Sequence, residues 1–302
     1  MMALRQMTSF ILLCLLHCTV AFSSPSRLLI LGLGNVGQAV ADEANSHFEW
    51  IRGTSRGTSS DDGLVVPFSS ASSYFAEVSH LLVTIPPNDA MDKVMESLRR
   101  NLPRRTWIGV VSTTGVYGNH NGAWVDEESP LLCSDPSSAF RFCCYEQKWV
   151  ELAKENNWTL AIFRCAGLYG PNRSALHTMW RRGYSPPSQD GVTNRIHESD
   201  VARAIVSGMR QSSTGVFNLS DDVPEKRSVV SAYAAKLFQS IHVDLPSATT
   251  ERTSERSRRR TSEHKLVSNK RMKQELISEL MFPSYESGLL SILHNKNCAW
   301  WD

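Results

Sequence analysis

A short apolar run that ends in a glycine-rich turn constrains the fold of this chain most. Residues 28–31 (LLIL) are long enough for one buried parallel strand, and GLGNVG follows at 32–37. The apolar residues of the next segment recur at helical spacing, at Val36, Ala39, Val40 and Ala44. A strand, a G-x-G-x-x-G turn and a helix in this order are typical of a dinucleotide-binding site.

Each glycine of this turn has a physical reason. Gly32 permits the tight turn, Gly34 lets the backbone approach a pyrophosphate, and Gly37 lets the helix pack close to the strand. The first N–H groups of the helix, at Asn35 and Val36, then face the phosphates together with the positive end of the helix dipole. A glycine-rich turn that holds no ligand is the alternative reading.

The end of the second predicted strand indicates which dinucleotide binds. That position usually offers an acid to the ribose hydroxyls, but this chain has Arg52, Thr54 and Arg56 there. Guanidinium and hydroxyl groups suit a 2′-phosphate, so we expect NADP(H), with NAD(H) as the alternative. If these arginines have no role in binding, they are solvated residues of a loop. Pro86, which stops the fourth strand, completes the predicted cofactor-binding residues.

Strands that alternate with helices predict an α/β fold with a doubly wound parallel sheet. The predicted strands are 28–31, 48–52, 65–66, 80–85, 107–111, 160–163 and 216–219. The predicted helices after the first are 89–102, 201–209 and 229–238, with an amphipathic helix over Met272, Leu276, Ile277, Leu280 and Met281. We expect a dinucleotide-binding domain at 26–170 and a smaller C-terminal substrate lobe at 171–302.

Four motifs fall at predicted strand ends, where open parallel sheets bind ligands. They are STTGVYG at 112–118, FRCAGLYGP at 163–171, RIHESD at 195–200 and FNLSDD at 217–222. Together with the glycine turn they resemble, in order and spacing, the extended short-chain dehydrogenase/reductase superfamily of the NAD-dependent epimerase/dehydratase type. The resemblance covers residues 27–293 and is greatest to an atypical subgroup with STTGVYG and RIH-type motifs. It implies a Rossmann fold.

The resemblance also implies roles for several side chains. Thr113, with Ser112 beside it, matches the hydroxyl that hydrogen-bonds the substrate oxygen, and such a group polarises a carbonyl. Arg195 and His197 match positions that face the substrate, where the arginine of nucleotide-sugar enzymes binds phosphate. In the alternative interpretation His197 and Asp200 have a structural role. They lie at a strand end and a helix N-terminus and are held there by local hydrogen bonds.

The chain departs from the family at the Tyr-x-x-x-Lys pair, which moves the proton in active members. In register with Thr113, the tyrosine and lysine positions hold Ser138 and Phe142. Tyr145 and Lys148 lie too far along the helix and are three residues apart, not four, and Arg141 has no tyrosine with it. Two hypotheses follow: an NADP(H)-dependent oxidoreductase or epimerase acting on a small polar, sugar-derived substrate, or a non-catalytic NADP(H)-binding redox sensor or scaffold.

The N-terminus predicts targeting. Residues 1–21 carry an early Arg5, an apolar run at 10–16 and small residues before a cleavage site, which is typical of a cleavable leader, with an uncleaved anchor as the alternative. We expect entry into the secretory route and no stable membrane insertion after cleavage. The junction Ala21-Phe22 resembles the bipartite leaders of algae with secondary plastids, so a plastid, secretion and the endomembrane lumen all stay open.

Composition bounds the partners. The 302 residues carry a net charge of +2, which does not favour nucleic acid, and we expect a small-molecule substrate as the partner. The Ser/Arg-rich segment 246–263 is predicted to be a mobile loop, with an RNA or acidic partner as the alternative. The cysteines after the leader show no disulfide or metal spacing, so we expect reduced thiols, no metal site, and Cys165 in a core strand.

Overall fold

The computed structural model describes residues 26–57, 60, 63–134, 137–186, 190–247 and 264–295. Its strands are β1 (Arg27–Leu31), β2 (Trp50–Ser55), β3 (Val65–Pro67), β4 (His80–Val83), β5 (Trp107–Thr113), β6 (Trp124–Val125), β7 (Thr159–Cys165), β8 (Gly167–Tyr169), β9 (Val192–Thr193), β10 (Arg195–His197), β11 (Gly215–Leu219), β12 (Glu225–Lys226) and β13 (Leu266–Val267). Its helices are α1 (Asn35–Ala44), α2 (Asp89–Asn101), α3 (Ser138–Asn156), α4 (Ala175–Arg182), α5 (Glu198–Gln211), α6 (Arg227–Ser240), α7 (Lys270–Glu275) and α8 (Tyr285–His294).

Seven parallel strands form the central sheet in the order β11-β7-β5-β4-β1-β2-β3. β1 lies in the interior, where Leu29 is in register with Arg52 of β2 and with Leu81 of β4. The chain leaves β1 toward one edge of the sheet and returns through β4 toward the other, which creates a switch point beside α1. The predicted doubly wound parallel sheet is confirmed.

Apolar side chains cover both faces of this sheet. Successive residues of β1 point to opposite faces, so Leu28 and Ile30 belong to one buried cluster while Leu29 and Leu31 belong to the other. All four are fully buried. Helices α1 and α5 pack on the first face, and α2 and α3 pack on the second. Burial on both faces explains why the strands read as continuous apolar runs and not as alternating patterns.

A separate cluster forms the smaller lobe. Helices α4, α6 and α8 share a buried core that includes Leu176, Phe238 and Leu289, and Tyr169 of β8 joins it. The chain does not stay in this lobe after residue 170. β11 adds the last strand to the central sheet by pairing with β7, from Gly215 opposite Ala161 to Leu219 opposite Cys165. The predicted boundary at 170 stays a prediction.

The C-terminal amphipathic helix is shorter than its periodicity predicts. α7 ends at Glu275; Met272 and Leu276 are buried, but Met281 is 55% exposed. The buried carboxylate of Asp200 accepts hydrogen bonds from the backbone N–H groups of Met281 (2.7 Å) and Phe282 (2.9 Å). These N–H groups therefore bond to a side chain and not to a preceding helical turn.

The prediction of reduced thiols is wrong for one pair of cysteines. Cys133 and Cys143 form a disulfide across a sequence separation of 10, joining the loop before α3 to the helix itself. Cys144 is free, and Cys165 is free and buried in β7 as predicted. Spacing could not identify this pair, because it depends on how the loop folds back on α3.

Four other expectations fall on residues that the structure describes in part or not at all. The leader at 1–21 and residues 248–263 of the Ser/Arg-rich segment lie outside the described residues. No helix in the described ranges is long and apolar enough to cross a membrane. No group of three His, Cys, Asp or Glu in these ranges is arranged to hold a metal ion.

The disulfide should contribute measurably to stability. Replacing both residues (Cys133→Ser with Cys143→Ser) removes a cross-link around a short loop, which should lower the free energy of unfolding by about 2–4 kcal/mol. Urea denaturation with and without reductant measures this, and Cys144→Ser is the control. Equal stability of the double variant and the oxidised protein would contradict the pairing.

Candidate active site

A cleft of about 1230 Å³ opens where the sheet order reverses. The cofactor end is lined by Gly34, Asn35, Val36, Gly37, Thr84 and Pro86. The middle is lined by Ser112, Thr113, Gly115, Ser138, Ala139 and Phe142, and the far end by residues of β8 to β10, α4 and the segment before β13. The carboxyl ends of β1, β5 and β7 therefore meet the smaller lobe in one cavity.

The glycine turn after β1 is held by the end of β2. The backbone N–H of Gly32 donates to Thr54 Oγ1 (2.9 Å), and the N–H of Leu33 donates to the carbonyl of Thr54 (2.8 Å). Gly32 has φ +105°, which disfavours residues with a Cβ. A Cβ at Gly37 would collide with the carbonyl oxygen of Gly32. Thr54 is fully buried and acts here by fixing the turn.

The backbone at Gly34 leaves open space in which a dinucleotide could lie. A Cβ at this residue would meet no atom within 4 Å, so its backbone faces open volume. Helix α1 begins directly after it without a side-chain cap and without an acidic residue in its first turn. The first N–H groups of a helix have no intrahelical partner, and those of Asn35, Val36 and Gly37 lie along the cleft. These residues would hold a pyrophosphate.

The two arginines at the end of β2 have different surroundings. The guanidinium of Arg52 lies between the rings of Trp50 (4.7 Å) and Tyr74 (4.4 Å), so its position is fixed by cation–π contacts. Arg56 follows the strand and is exposed. Arg52, Thr54 and Arg56 are not among the residues that line the cleft, whereas Pro86 is. Of the two arginines, Arg56 has the freedom to reach a phosphate.

Arg56 should therefore set the choice of cofactor. Arg56→Ala removes one charge-assisted hydrogen-bond partner, worth roughly 1.5–3 kcal/mol, so NADPH should bind about ten- to a hundredfold more weakly. The affinity for NADH should not change. Fluorescence titration of both nucleotides measures this, with Arg99→Ala as an exposed-arginine control. Equal losses for NADH and NADPH would exclude a 2′-phosphate site at Arg56.

Thr113 and Ser112 end β5 at the middle of the cleft. Thr113 is half-buried, and its Oγ1 accepts a hydrogen bond from the N–H of Gly115 (3.1 Å), which leaves the hydroxyl proton available for an oxygen in the cleft. Ser112 is buried, and its hydroxyl donates to Glu146 Oε1 (2.5 Å). The structure therefore leaves Thr113 as the hydroxyl of this pair that can bind a substrate oxygen.

Behind these hydroxyls lies a buried polar network that the sequence analysis missed. The carboxylate of Glu146 on α3 forms an ion pair with Arg164 of β7 (2.7 Å), and both side chains are 6% exposed. Arg164 also donates to the hydroxyl of Tyr117 (2.9 Å), which donates to Asn218 Oδ1 (2.7 Å). A charged residue within an apolar strand run, as in IFRCA at 162–166, was the signal that could have revealed it.

This ion pair fixes the register of α3 against the sheet. With Glu146 directed at Arg164, the first turns of the helix face the cleft, and Ser138, Ala139 and Phe142 line it. Ser138 and Phe142 are the residues predicted to replace the tyrosine and lysine of the related enzymes. The cleft wall at this point thus carries one hydroxyl and one phenyl ring.

Tyr145 faces away from the cleft. It is 3% exposed, packs edge-on against Trp149 (6.0 Å between ring centroids), and directs its hydroxyl toward the carbonyl of Ile85 (3.5 Å). Burial raises the pKa of its phenol above the ordinary value. Lys148 is exposed and forms an ion pair with Asp92 (2.7 Å). Neither residue is among those that line the cleft.

Arg195 lines the far end of the cleft. Its Nη1 donates to the carbonyls of Thr193 (2.9 Å) and Glu225 (3.1 Å), which ties the guanidinium to the paired strands β9 and β12. Burial lowers its pKa below the ordinary value, and arginine still remains charged at neutral pH. Arg195 can therefore present a fixed positive charge to a ligand.

His197 lies behind the cleft and is not among the residues that line it. Its Nδ1 accepts a hydrogen bond from the N–H of Ser199 (3.1 Å) and caps α5, while its ring packs edge-on against Tyr169 and tilted against Phe282. Burial lowers its pKa to about 4, so the ring is neutral at pH 7. These contacts favour the structural alternative for His197.

The charged residues that line the cleft are all cationic within the described part of the chain. They are Arg173, Arg181, Arg195, Arg227 and Lys265, and no aspartate or glutamate lines it. Lys265 is buried, and its Nζ donates to the carbonyl of Gly118 (3.0 Å). Such a lining favours an anionic ligand.

Solved structures share the fold of this chain. A functionally unknown conserved protein from Silicibacter pomeroyi DSS is 29% identical, with a TM-score of 0.71 over 88% of this chain and 98% of that chain. A protein assigned to the NAD-dependent epimerase/dehydratases of Methylobacillus flagellatus is 22% identical, with a TM-score of 0.67 over 89% of this chain and 98% of that one. MoeE5, solved in complex with UDP-glucuronic acid and NAD, is 16% identical, with a TM-score of 0.69 over 89% and 98%.

No family model matches the sequence, and no curated protein matches it. The likeness to solved structures nevertheless extends over nearly the whole of each chain. The chain has the Rossmann-like α/β fold of the NAD-dependent epimerase/dehydratases and related members of the extended short-chain dehydrogenase/reductase superfamily. The resemblance inferred from the motifs is thus confirmed at the level of the fold.

Proposed function

We propose that this protein binds NADP(H) and acts as an epimerase- or dehydratase-like oxidoreductase on a small, polar, anionic substrate such as a sugar nucleotide. The observation that carries the proposal is the single cavity that joins the open backbone at Gly34 to the hydroxyl of Thr113. A cofactor that lies along α1 and a substrate oxygen at Thr113 would meet in the middle of this cavity.

The lining of the far end supports an anionic substrate. Arg173 and Arg181 lie at the exposed rim, and Arg195 lies deeper, held by two backbone carbonyls. Guanidinium groups bind phosphate and carboxylate through paired N–H donors. MoeE5, which shares the fold, was solved with a UDP-sugar, and a diphosphate on the arginines would direct a sugar toward Thr113.

Different residues of the cleft would have different roles in the proposed reaction. A nicotinamide cofactor held by Gly34, Asn35, Val36 and Gly37 would supply hydride exchange with a substrate carbon. Thr113 would donate its hydroxyl proton to the substrate oxygen and so polarise a carbonyl or orient an alcohol. Phe142 would exclude water from the wall beside this oxygen, and Ser138 offers a second hydroxyl on the same wall. The proton of an alcohol substrate would leave through Ser138 or a water.

The alternative function is a non-catalytic NADP(H)-binding redox sensor or scaffold. The observation that favours it is that Phe142 lines the cleft, since the register predicted from Thr113 puts the lysine of active family members at this residue. Without that cation and its tyrosine, the proton transfer that typically contributes 10²–10⁴-fold is weakened. A panel that includes UDP-glucose and UDP-glucuronic acid, monitored by NADPH absorbance and by product chromatography, distinguishes the two functions.

Cofactor binding is tested at Gly34. Gly34→Val should abolish NADPH binding, because the new side chain fills the volume that a pyrophosphate needs, and it should leave the fold intact because no protein atom lies within 4 Å of the new Cβ. Fluorescence titration and thermal unfolding measure the two effects. Glu43→Val, exposed on the same helix, is the control. Unchanged NADPH affinity in Gly34→Val would overturn the proposed site.

Turnover of any substrate found in the panel should depend on Thr113 and not on Tyr145. Thr113→Ala should lower kcat/KM by about 100-fold, because a polarising group is lost, and Thr113→Ser should restore most of it. Tyr145→Phe should leave kcat/KM and NADPH affinity nearly unchanged, since its hydroxyl lies behind the cleft wall. Loss of turnover in a folded Tyr145→Phe protein would mean that the register of α3 is different.

A further inference from the structure

A buried carboxyl group lies behind the arginine at the far end of the cleft. Asp221 follows β11, at the end where the central sheet meets the smaller lobe, and is 2% exposed. Within the described residues, neither of its side-chain oxygens is in good hydrogen-bond geometry with a partner, although the backbone N–H of Val223 lies close enough to lower the pKa of the carboxyl group. An unpartnered carboxylate in such a place is costly, so the group keeps its proton to a higher pH than an exposed aspartate does.

The backbone connects Asp221 directly to Arg195. The N–H of Asp221 donates to the carbonyl of Arg195 (2.6 Å), and the hydroxyl of Ser220 approaches the same oxygen (3.4 Å). The charges of Asp221 and Arg195 also act on each other. A change of charge at Asp221 is therefore felt at the guanidinium that lines the cleft.

Four groups determine the protonation of Asp221. Burial raises its pKa to about 8, the charge of Arg195 and the backbone N–H of Val223 oppose that rise, and Asp222 and Asp200 add to it. The pKa of the buried Tyr169 phenol is raised, mainly by burial and in addition by the charge of Asp221. At pH 7 the carboxyl group is therefore neutral, and Arg195 keeps its full positive charge for a ligand.

We propose that Asp221 is a positioning residue that couples the binding of an anion at Arg195 to the uptake of one proton. The inference rests on the anionic substrate of the proposed function. An anion at Arg195 disfavours a second negative charge nearby, so bound anion keeps the Asp221 carboxyl protonated. The proton comes from solvent to one carboxylate oxygen, and no bond in the ligand changes.

The direction of the pH effect follows from this coupling. At pH values well below its pKa, Asp221 is neutral in the free protein and the anion binds without proton uptake. Above pH 8 the free protein loses this proton, and each further unit of pH weakens anion binding by up to about tenfold. Sulfate is a suitable probe because its own charge does not change over this range.

The experiment measures sulfate binding by calorimetry between pH 7 and pH 9.5, with NADPH in excess so that the N-terminus of α1 is occupied. In the wild type, the dissociation constant should rise by about tenfold between pH 7 and pH 9, with proton uptake detected from buffers of different ionisation enthalpy. In Asp221→Asn, both the rise and the uptake should disappear. Asp244→Asn, an exposed aspartate of the smaller lobe that is not among the groups acting on Asp221, should behave as the wild type.

Arg195→Gln locates the effect, because it should abolish the pH-dependent part of sulfate binding. Retention of the pH dependence in Asp221→Asn or in Arg195→Gln would overturn the inference. Absence of sulfate binding in the wild type would overturn both the inference and the anionic substrate. A protein that binds sulfate as expected but does not bind NADPH would overturn the proposed cofactor alone.

A second measurement needs no ligand. The carboxyl group of Asp221 has an ordinary pKa in the unfolded chain and a raised one in the folded protein, so its presence lowers stability progressively from about pH 4 to pH 8. Asp221→Asn lacks this cost. Its midpoint of urea denaturation should rise relative to the wild type between pH 5 and pH 8 and then level off. A difference that does not vary with pH would also overturn the inference.

Discussion

The buried ion pair between Glu146 and Arg164 is the interaction on which the site depends. It joins the middle of α3 to β7, and through Ser112 it also holds the end of β5. Removing two charges from water has a large free-energy cost. Their mutual attraction offsets this cost only where the geometry is good and further hydrogen bonds satisfy both groups. Here Ser112 and Tyr117 complete the hydrogen bonds of the ion pair. The pair thereby fixes the orientation of α3, so that only one set of its residues lies at the cleft.

The orientation of α3 determines which of its side chains are available for catalysis at the cleft. The backbone at Gly34 is open to the cleft and Thr113 has a hydroxyl proton available at its middle, which is what the proposed cofactor and substrate would need. The same register that would deliver a tyrosine and a lysine delivers Ser138 and Phe142. An enzyme built this way relies on electrostatic stabilisation and hydride exchange, with proton transfer left to weaker groups. A sensor would need the cofactor end alone.

Much of this architecture could be predicted from the sequence because it is local. The strand, glycine turn and helix at 27–44 follow from apolar runs and from backbone demands at particular glycines. The Glu146–Arg164 pair, the capping role of His197 and the 133–143 disulfide could not be predicted, because each depends on segments that meet only after folding. Arg52 and Arg56 looked equivalent in sequence, and the ring of Tyr74, distant in the chain, distinguishes them.

The return of the chain to the sheet at β11 has a consequence for biosynthesis. The edge of the central sheet is unpaired until residues 215–219 emerge from the ribosome and pair with β7. The carboxylate of Asp200 acquires its hydrogen bonds later still, after Met281 and Phe282 have been synthesised. The central sheet therefore cannot be completed until the chain has been synthesised past residue 219. During that interval β7 presents unpaired backbone groups, which is a stage at which chaperones would protect a nascent chain from aggregation.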